Sequence, residues 1–254
     1  APAGLAPIDG TSAWRTRRHV LDLDDFSVAE IEEVLRTADA MKEVLGRKIK
    51  QVPALRGVTV VTLFYEVSTR TRVSFELAAK HLGADVVNVT ASSSSVTKGE
   101  SLLDTAHTLR ALGADILVMR HSQSGAPYLV AEHVDCHVIN AGDGWHAHPT
   151  QALLDLYTLR ERLGSLAGRR IVIVGDILHS RVARSGVWAF TRLGAAVTLC
   201  GPPTLLPMGP LPWPVAVEYD LERALRGADV VMALRLQRPA AVVIVEHGDG
   251  GAHL

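Results

Sequence analysis

The stretch "FYEVSTRTRVSFELAAK", residues 64–80, sets two arginines, Arg70 and Arg72, among the hydroxyls of Ser68, Thr69, Thr71 and Ser74. An apolar run, residues 58–64, precedes it and a helical pattern follows. A helix N-terminus carries unpaired N–H groups and about half a positive charge. Hydroxyl donors and the planar fork of Arg70 add to that, so the stretch reads as an anion site, most naturally for phosphate. The alternative is an ordinary helix cap with two solvated arginines, since Ser and Thr are common caps. Neither G-x-x-x-x-G-K-[ST] nor a strand followed by G-x-G-x-x-G occurs, so the two familiar nucleotide loops are excluded.

Other residues extend this chemistry. "TASSSSVTKGES" (90–101) has the composition of a flexible linker, yet it lies between a strand and a helix. It places Lys98 near a helix start, where the dipole disfavours a cation, which points to an anionic ligand or a partner surface. His146 and His148, with Asp143, could suggest a metal. Their i, i+2 spacing in a loop lacks a second ligand cluster, so no metal and no cofactor is expected. In His148-Pro149-Thr150-Gln151, Pro149 suits the first helical position. That would set His148 and Gln151 together at a domain junction, able to bond one small substrate; the alternative is a surface histidine beside a helix start. Arg120, Arg181 and Arg235 each stand at a strand end. Singly they read as surface charges; with Arg70 and Lys98 they imply a substrate pair rich in negative charge, such as a phosphate plus carboxylates. No Ser-His-Asp order or reactive cysteine points to covalent catalysis.

The elements that must position these residues alternate. Strands are expected at 58–64, 85–89, 115–119 and 137–140. Helices are expected near 68–82, 100–112 and 127–133, with Gly83 and Gly113 as stops. A capping box at Ser27 and Glu30 opens an earlier helix, and a long amphipathic helix spans 149–163. The second half repeats the scheme: strands 170–174, 196–199 and 229–233, helices 182–193 and 221–226. Six of the twelve prolines fall within 202–214, marking a surface loop. Continuous Val/Ile/Leu strands between helices read as parallel sheets covered on both faces. The expected fold is α/β, two doubly wound parallel-sheet domains, 19–150 and 151–254, joined by the linking helix 149–163. "EVSTRTR", "TASSSSVTKGES", "RHSQSG", "GDGWHAHPTQ", "GDILHSR" and "LRLQ" all fall at strand C-terminal ends, the edge where open α/β sheets bind ligands.

Composition narrows the classes. The chain has 254 residues, 48% hydrophobic, ample for sizeable cores. Twenty-six Lys+Arg balance twenty-seven Asp+Glu, so nothing global favours nucleic acid or an anionic membrane. No apolar run approaches the ~20 residues of a membrane helix. Residues 1–18 read as a loose tail: "WRTRR" hints at a twin-arginine signal, but acidic "VLDLDD" follows it. Cys136 and Cys200 form no CxxC, which suits a reducing, cytoplasmic setting.

Together, "STRTR.SFELAAK.LGADVVN", "SSV.KGESLLDT", "RH...GA", "VINAGDG...HPTQALLDLYTL", "IVGDI.HSRVARS" and "LRLQ" resemble the carbamoyltransferase family from about His19 to Gln237. The KGES loop, Arg120-His121 and Arg235-Leu-Gln237 resemble the members that act on aspartate. The His-Cys-Leu-Pro motif of the ornithine members is absent.

The resemblance implies transfer of the carbamoyl group of carbamoyl phosphate to L-aspartate, a step of de novo pyrimidine biosynthesis. Ser68, Thr69, Arg70 and Thr71, with Arg120, would hold the phosphate. His148, Thr71 and Arg120 would polarise the carbamoyl carbonyl, and Gln151 would hold its nitrogen. Arg181, Arg235 and Gln237 would hold the aspartate carboxylates. Ser94 and Lys98 would reach the adjacent subunit's site in a homotrimer, Lys98 serving both substrates. The resemblance also raises a regulatory chain or a dihydroorotase as a complex partner. Two departures stand out. Val67 replaces a frequent proline. After Arg238 the usual His-Pro-x-Pro loop and C-terminal helix are missing, so the second domain reads as C-terminally incomplete. An inactive carbamoyltransferase-like partner subunit, an ornithine carbamoyltransferase and a plain anion-binding module are the alternatives.

Overall fold

The computed structural model describes residues 16–90, 100–235 and 238–244, with the backbone alone for 235 and 238–244. The chain forms two compact units: residues up to Leu21 with Ala29–Gly144, and Asp22–Val28 with the chain from Trp145 onward.

In the first unit, α1 (Val28–Leu45) is followed by β1 (Thr59–Phe64), α2 (Thr69–His81), β2 (Asp85–Thr90), α3 (Leu102–Ala111), β3 (Ile116–His121), α4 (Ala126–His133) and β4 (His137–Asp143). The sheet order is β2-β1-β3-β4, with every pair parallel. Alternation along the central strands β1 and β3 explains their mostly apolar runs. Leu117 and Met119 of β3 pack with Ala106 and Val130, while Val118 packs with Val60, Phe64 and Ala79. Both faces are therefore covered, so no polar alternation survives in the sequence. Residues Arg17–Leu21 close the β4 edge: Val20 N–H donates to Val138 O at 2.9 Å, and Asn140 N–H donates to Val20 O at 2.8 Å. An exposed edge would otherwise offer unpaired amides. Part of the expected loose tail is thus anchored, Arg17 also pairing with buried Glu30 at 2.6 Å; residues 1–15 lie outside the described residues.

The second unit holds α5 (Pro149–Leu163), β5 (Arg170–Val174), α6 (Arg181–Arg192), β6 (Ala196–Cys200), β7 (Ala216–Glu218), α7 (Leu221–Leu225), β8 (Val230–Arg235) and β9 (Arg238–Ile244). The sheet order is β7-β6-β5-β8-β9. Four strands are parallel and β9 runs antiparallel to β8. Central β5 buries Ile171, Val172 and Ile173. Helix α5, expected to link two sheets, falls wholly within this unit, the chain passing into it between Gly144 and Trp145.

Two strands depart from the expected pattern. β7 spans only three residues behind the proline-rich loop, too short to register as a periodic run. β9 occupies a segment that carried no expected element. It begins three residues after β8 ends, and so short a connection permits only an antiparallel return.

Candidate functional site

In the first unit β1 and β3 are neighbours, and Phe64 is in register with Arg120. The Tyr65 N–H donates to Arg120 O at 2.9 Å. The turn leading into α2 and the side chain of Arg120 therefore leave one sheet edge side by side. Ser68 occupies the cap position of α2 without a side-chain cap bond; its hydroxyl bonds Thr71 Oγ1 at 2.9 Å instead. The first turn contains no acidic residue, and Thr69 and Arg70 are exposed. Its orphan amides and a guanidinium thus face outward together, an arrangement suited to an oxyanion. The two arginines part company: Arg72 donates to Thr90 Oγ1 at 3.2 Å on β2. A small concavity of about 70 Å³ opens here, lined by residues including Glu66, Ser68, Thr69 and Arg72.

Arg120 is held from two sides. Nη1 donates to Ala141 O at 3.1 Å, and Nε lies 3.1 Å from Glu66 Oε2 as an ion pair rather than an aligned hydrogen bond. Beside it, buried His121 accepts the Gln123 N–H at Nδ1, 2.9 Å, and burial lowers its pKa below the ordinary histidine value. Fully buried Asp143 accepts from Gly125 N–H at 2.6 Å and Asn140 Nδ2 at 2.8 Å, tying the loops after β3 and β4 together. Gly144, at φ +42°, lies where a Cβ would stand 2.7 Å from Ser124 N. Asp143 is thereby a structural carboxylate. Among the described residues no group of three His, Cys, Asp or Glu side chains could hold a metal. A larger concavity, about 350 Å³, sits at the opposite strand ends among Val58, Asp115 and His137. Its cation, Arg110, is already paired with Asp135, so it suits an anion less well.

In the second unit His148 takes the cap position of α5 and is buried. Its backbone N–H donates to Ser185 Oγ at 2.9 Å, and the Ser185 hydroxyl donates to Asp22 Oδ1 at 3.1 Å. Asp22 also accepts the Leu23 N–H at 2.8 Å. Burial pushes the Asp22 carboxyl up to about 6, against the pull of these bonds. The Thr150 hydroxyl lies 3.4 Å from His148 Nδ1. One turn on, Gln151 Nε2 donates to Asp155 Oδ1 at 2.9 Å. Asp155 is 5% exposed, and burial pushes it too up to about 6.

The β5 exit carries the remaining groups. Gly175, at φ +127°, leaves room for Leu234 O, which a Cβ would meet at 2.8 Å, so the β5 and β8 ends lie close. Ser180 caps α6 by accepting the Ala183 N–H at 3.1 Å, which makes Arg181 the first helical residue. A cation there, as at Arg70, opposes the helix dipole. His179 Nδ1 lies 2.9 Å from Asp176 Oδ1, and the Trp145 ring meets the His179 ring edge-on with centroids 4.5 Å apart. Arg235 ends β8. Ser94, Lys98 and Gln237 lie outside the described residues.

Within the first unit, then, Ser68, Thr69, Arg70, Thr71 and Arg120 gather at one sheet edge. Within the second, His148 and Gln151 share the start of α5, and Arg181 opens α6. Sequence reasoning missed Asp22, Ser185, Asp155 and the Asp176–His179 pair. The available signal is weak: Ser185 and Asp155 are single polar residues within helices, and Asp22, Asp176 and His179 sit in loops, where polar residues are ordinary.

Residues 18–161 match the family model "Aspartate/ornithine carbamoyltransferase, carbamoyl-P binding domain". The chain is 64% identical over 238 residues to the aspartate carbamoyltransferase catalytic subunit of Roseiflexus castenholzii, covering 91% of this chain and 74% of that one. It is 67% identical over 228 residues to the Chloroflexus aurantiacus subunit of the same name, covering 87% and 73%. Among solved structures, Trypanosoma cruzi aspartate transcarbamoylase in complex with carbamoyl phosphate superposes with a TM-score of 0.78 at 31% identity, covering 87% of this chain and 72% of that one. The catalytic subunit of M. jannaschii aspartate transcarbamoylase gives 0.74 at 37% identity, covering 85% of this chain and 73% of that one. The chain belongs to the aspartate/ornithine carbamoyltransferase family, among the aspartate carbamoyltransferase catalytic subunits.

Proposed function

We propose that this chain transfers the carbamoyl group of carbamoyl phosphate to the amine of L-aspartate, giving N-carbamoyl-L-aspartate and phosphate. The observation that carries the reading is the outward-facing start of α2 beside Arg120, an oxyanion cradle on adjacent strand ends. Similarity to aspartate carbamoyltransferase catalytic subunits supports the choice of substrates.

In this reading Ser68, Thr69, Arg70, Thr71 and Arg120 bind the phosphate, so the first unit is the carbamoyl phosphate domain. His148, Thr71 and Arg120 polarise the carbonyl, and Gln151 accepts from the carbamoyl nitrogen. Arg181, Arg235 and Gln237 bind the aspartate carboxylates. The neutral amine forms a C–N bond to the carbonyl carbon, and charge collects on the oxygen. The C–O bond to phosphate then breaks, phosphate takes the electron pair, and the amine gives up a proton. No covalent enzyme intermediate is needed. The protein positions the reactants and stabilises the oxyanion, the term that usually dominates such catalysis.

The setting is proposed as the cytoplasm, in pyrimidine biosynthesis; no described helix is long and apolar enough to cross a membrane. A closed homotrimer is proposed, with Ser94 and Lys98 completing a neighbour's site. The test is product formation from carbamoyl phosphate with aspartate and ornithine in parallel. Activity with aspartate alone is expected. Activity with ornithine alone, or with neither, would overturn the reading and leave an ornithine enzyme or an inactive partner subunit.

A further inference from the structure

The α5 helix carries a second polar group one turn beyond Gln151. Asp155 follows Gln151 by four residues, the spacing that stacks side chains on one helix face. Its Oδ1 accepts the Gln151 amide N–H at 2.9 Å. The carboxyl is 5% exposed, and Oδ2 finds no hydrogen-bond partner among the described residues. Burying a carboxylate with a single amide as partner is costly, and an apolar side chain of similar size would fill the space at less cost. The arrangement therefore calls for a reason beyond packing.

Hydrogen-bond direction supplies one. An ionised carboxylate only accepts, whereas an amide donates from one end and accepts at the other. With Asp155 behind it, Gln151 must turn its NH₂ inward, and its oxygen then points the opposite way. The carbamoyl nitrogen carries two N–H donors and, being conjugated, no useful acceptor. It can be met only by an oxygen. A flipped amide would set N–H against N–H.

We infer that Asp155 is a positioning residue that fixes the direction of the Gln151 amide, so that the enzyme presents an acceptor to the carbamoyl nitrogen. This rests on the reading of Gln151 given above. It also makes Asp155 a determinant of specificity, because an acyl phosphate with a methyl in place of the amino group has nothing to gain from that acceptor.

The experiment measures binding of carbamoyl phosphate and acetyl phosphate by titration to full-length wild type, Asp155→Leu, Asp155→Asn, Gln151→Ala and the Gln151→Ala/Asp155→Leu double variant. Loss of one oriented hydrogen bond predicts carbamoyl phosphate binding about tenfold weaker in Asp155→Leu, with acetyl phosphate unchanged. Asp155→Asn should lose less, since Asn can still turn its oxygen to Gln151, and it carries the test if the Leu variant fails to fold. In the Gln151→Ala background Asp155→Leu should cost nothing more. Equal weakening of both ligands, no weakening of carbamoyl phosphate, or a further loss in the double variant would overturn the inference. If Gln151→Ala itself leaves carbamoyl phosphate binding intact, the assignment of Gln151 falls, and this inference with it.

Discussion

Asp22 offers a quantitative test of how the second unit is built. Its carboxyl is buried against Ser185 and Leu23, and burial raises it from the ordinary value of 3.8 to about 6. Because the folded pKa lies above the unfolded one, protonation favours the folded state. The stability this group contributes is full below pH 3.8 and is lost as pH rises through about 6. The whole displacement corresponds to about 3 kcal/mol, and about half of it, roughly 1.5 kcal/mol, falls between pH 5 and pH 8. Asp22→Asn keeps an acceptor oxygen for Ser185 and removes the titration. Thermal unfolding of wild type and variant should therefore diverge with pH. For a chain of this size the variant should gain roughly 3–6 °C on wild type between pH 5 and pH 8. The neighbouring charges are Asp24 and His146, the latter 4.0 Å from Asp22 Oδ2. Repeating the comparison in a His146→Gln background removes the imidazole as a cause. Melting curves whose separation is the same at both pH values would show that Asp22 titrates like a surface carboxylate, and the reasoning would fail.

Other tests address the assigned roles. His148→Ala should lower kcat about 10²–10³-fold, as loss of an oxyanion donor does, with a smaller effect on carbamoyl phosphate affinity; an unchanged kcat makes His148 a bystander. Arg235→Ala should raise KM for aspartate strongly and leave carbamoyl phosphate binding by calorimetry nearly intact; equal loss of both would place it in the wrong half of the site. Arg70→Ala and Lys98→Ala proteins, each nearly inactive, should regain roughly a quarter of wild-type activity when dissociated, mixed equally and reassembled, because about three quarters of rings are mixed and each carries one intact site in three. Activity that stays at baseline, with hybrids confirmed by native mass spectrometry, rules out a site shared between subunits.

The parts of this molecule that show in its sequence are those whose rule is local. Residues 58–64 and 170–174 read as strands because burial on both faces leaves runs dominated by Val, Ile, Leu and Phe, with only Thr59, Thr62 and the terminal Arg170 among them. Arg70 stood out because its guanidinium fork sits among hydroxyls at a helix start, and Lys98 because a cation near a helix start opposes the dipole. What stayed hidden depends on contacts distant in the chain. Ser185 and Asp22 are 163 residues apart, and neither residue type signals its partner. Nothing local separates Arg70 from Arg72; only the position of Thr90 on β2 shows that Arg72 is already engaged. β9 escaped notice because a Val/Ile run near no helix has no βα partner to frame it, and its pairing follows from the short connection to β8 alone.

The two buried carboxylates of the second unit share one logic. Asp22 stands behind the Ser185 hydroxyl that receives the His148 N–H, and Asp155 stands behind the Gln151 amide. A hydroxyl and an amide can each reverse their hydrogen bonds, and a reversed Ser185 would confront the His148 N–H with an O–H. An ionised carboxylate removes that freedom because it cannot donate. Both groups are raised toward 6 by burial, so each costs stability at neutral pH of the order worked out for Asp22. That cost is hard to explain as packing, since apolar replacements would avoid it. It is explained if a fixed anchor for the His148 backbone and a fixed direction at the Gln151 amide matter more to this protein than a few kcal/mol of stability. The exposed Arg70 in the first turn of α2 supplies charge, and buried carboxylates behind the Ser185 hydroxyl and the Gln151 amide supply the direction.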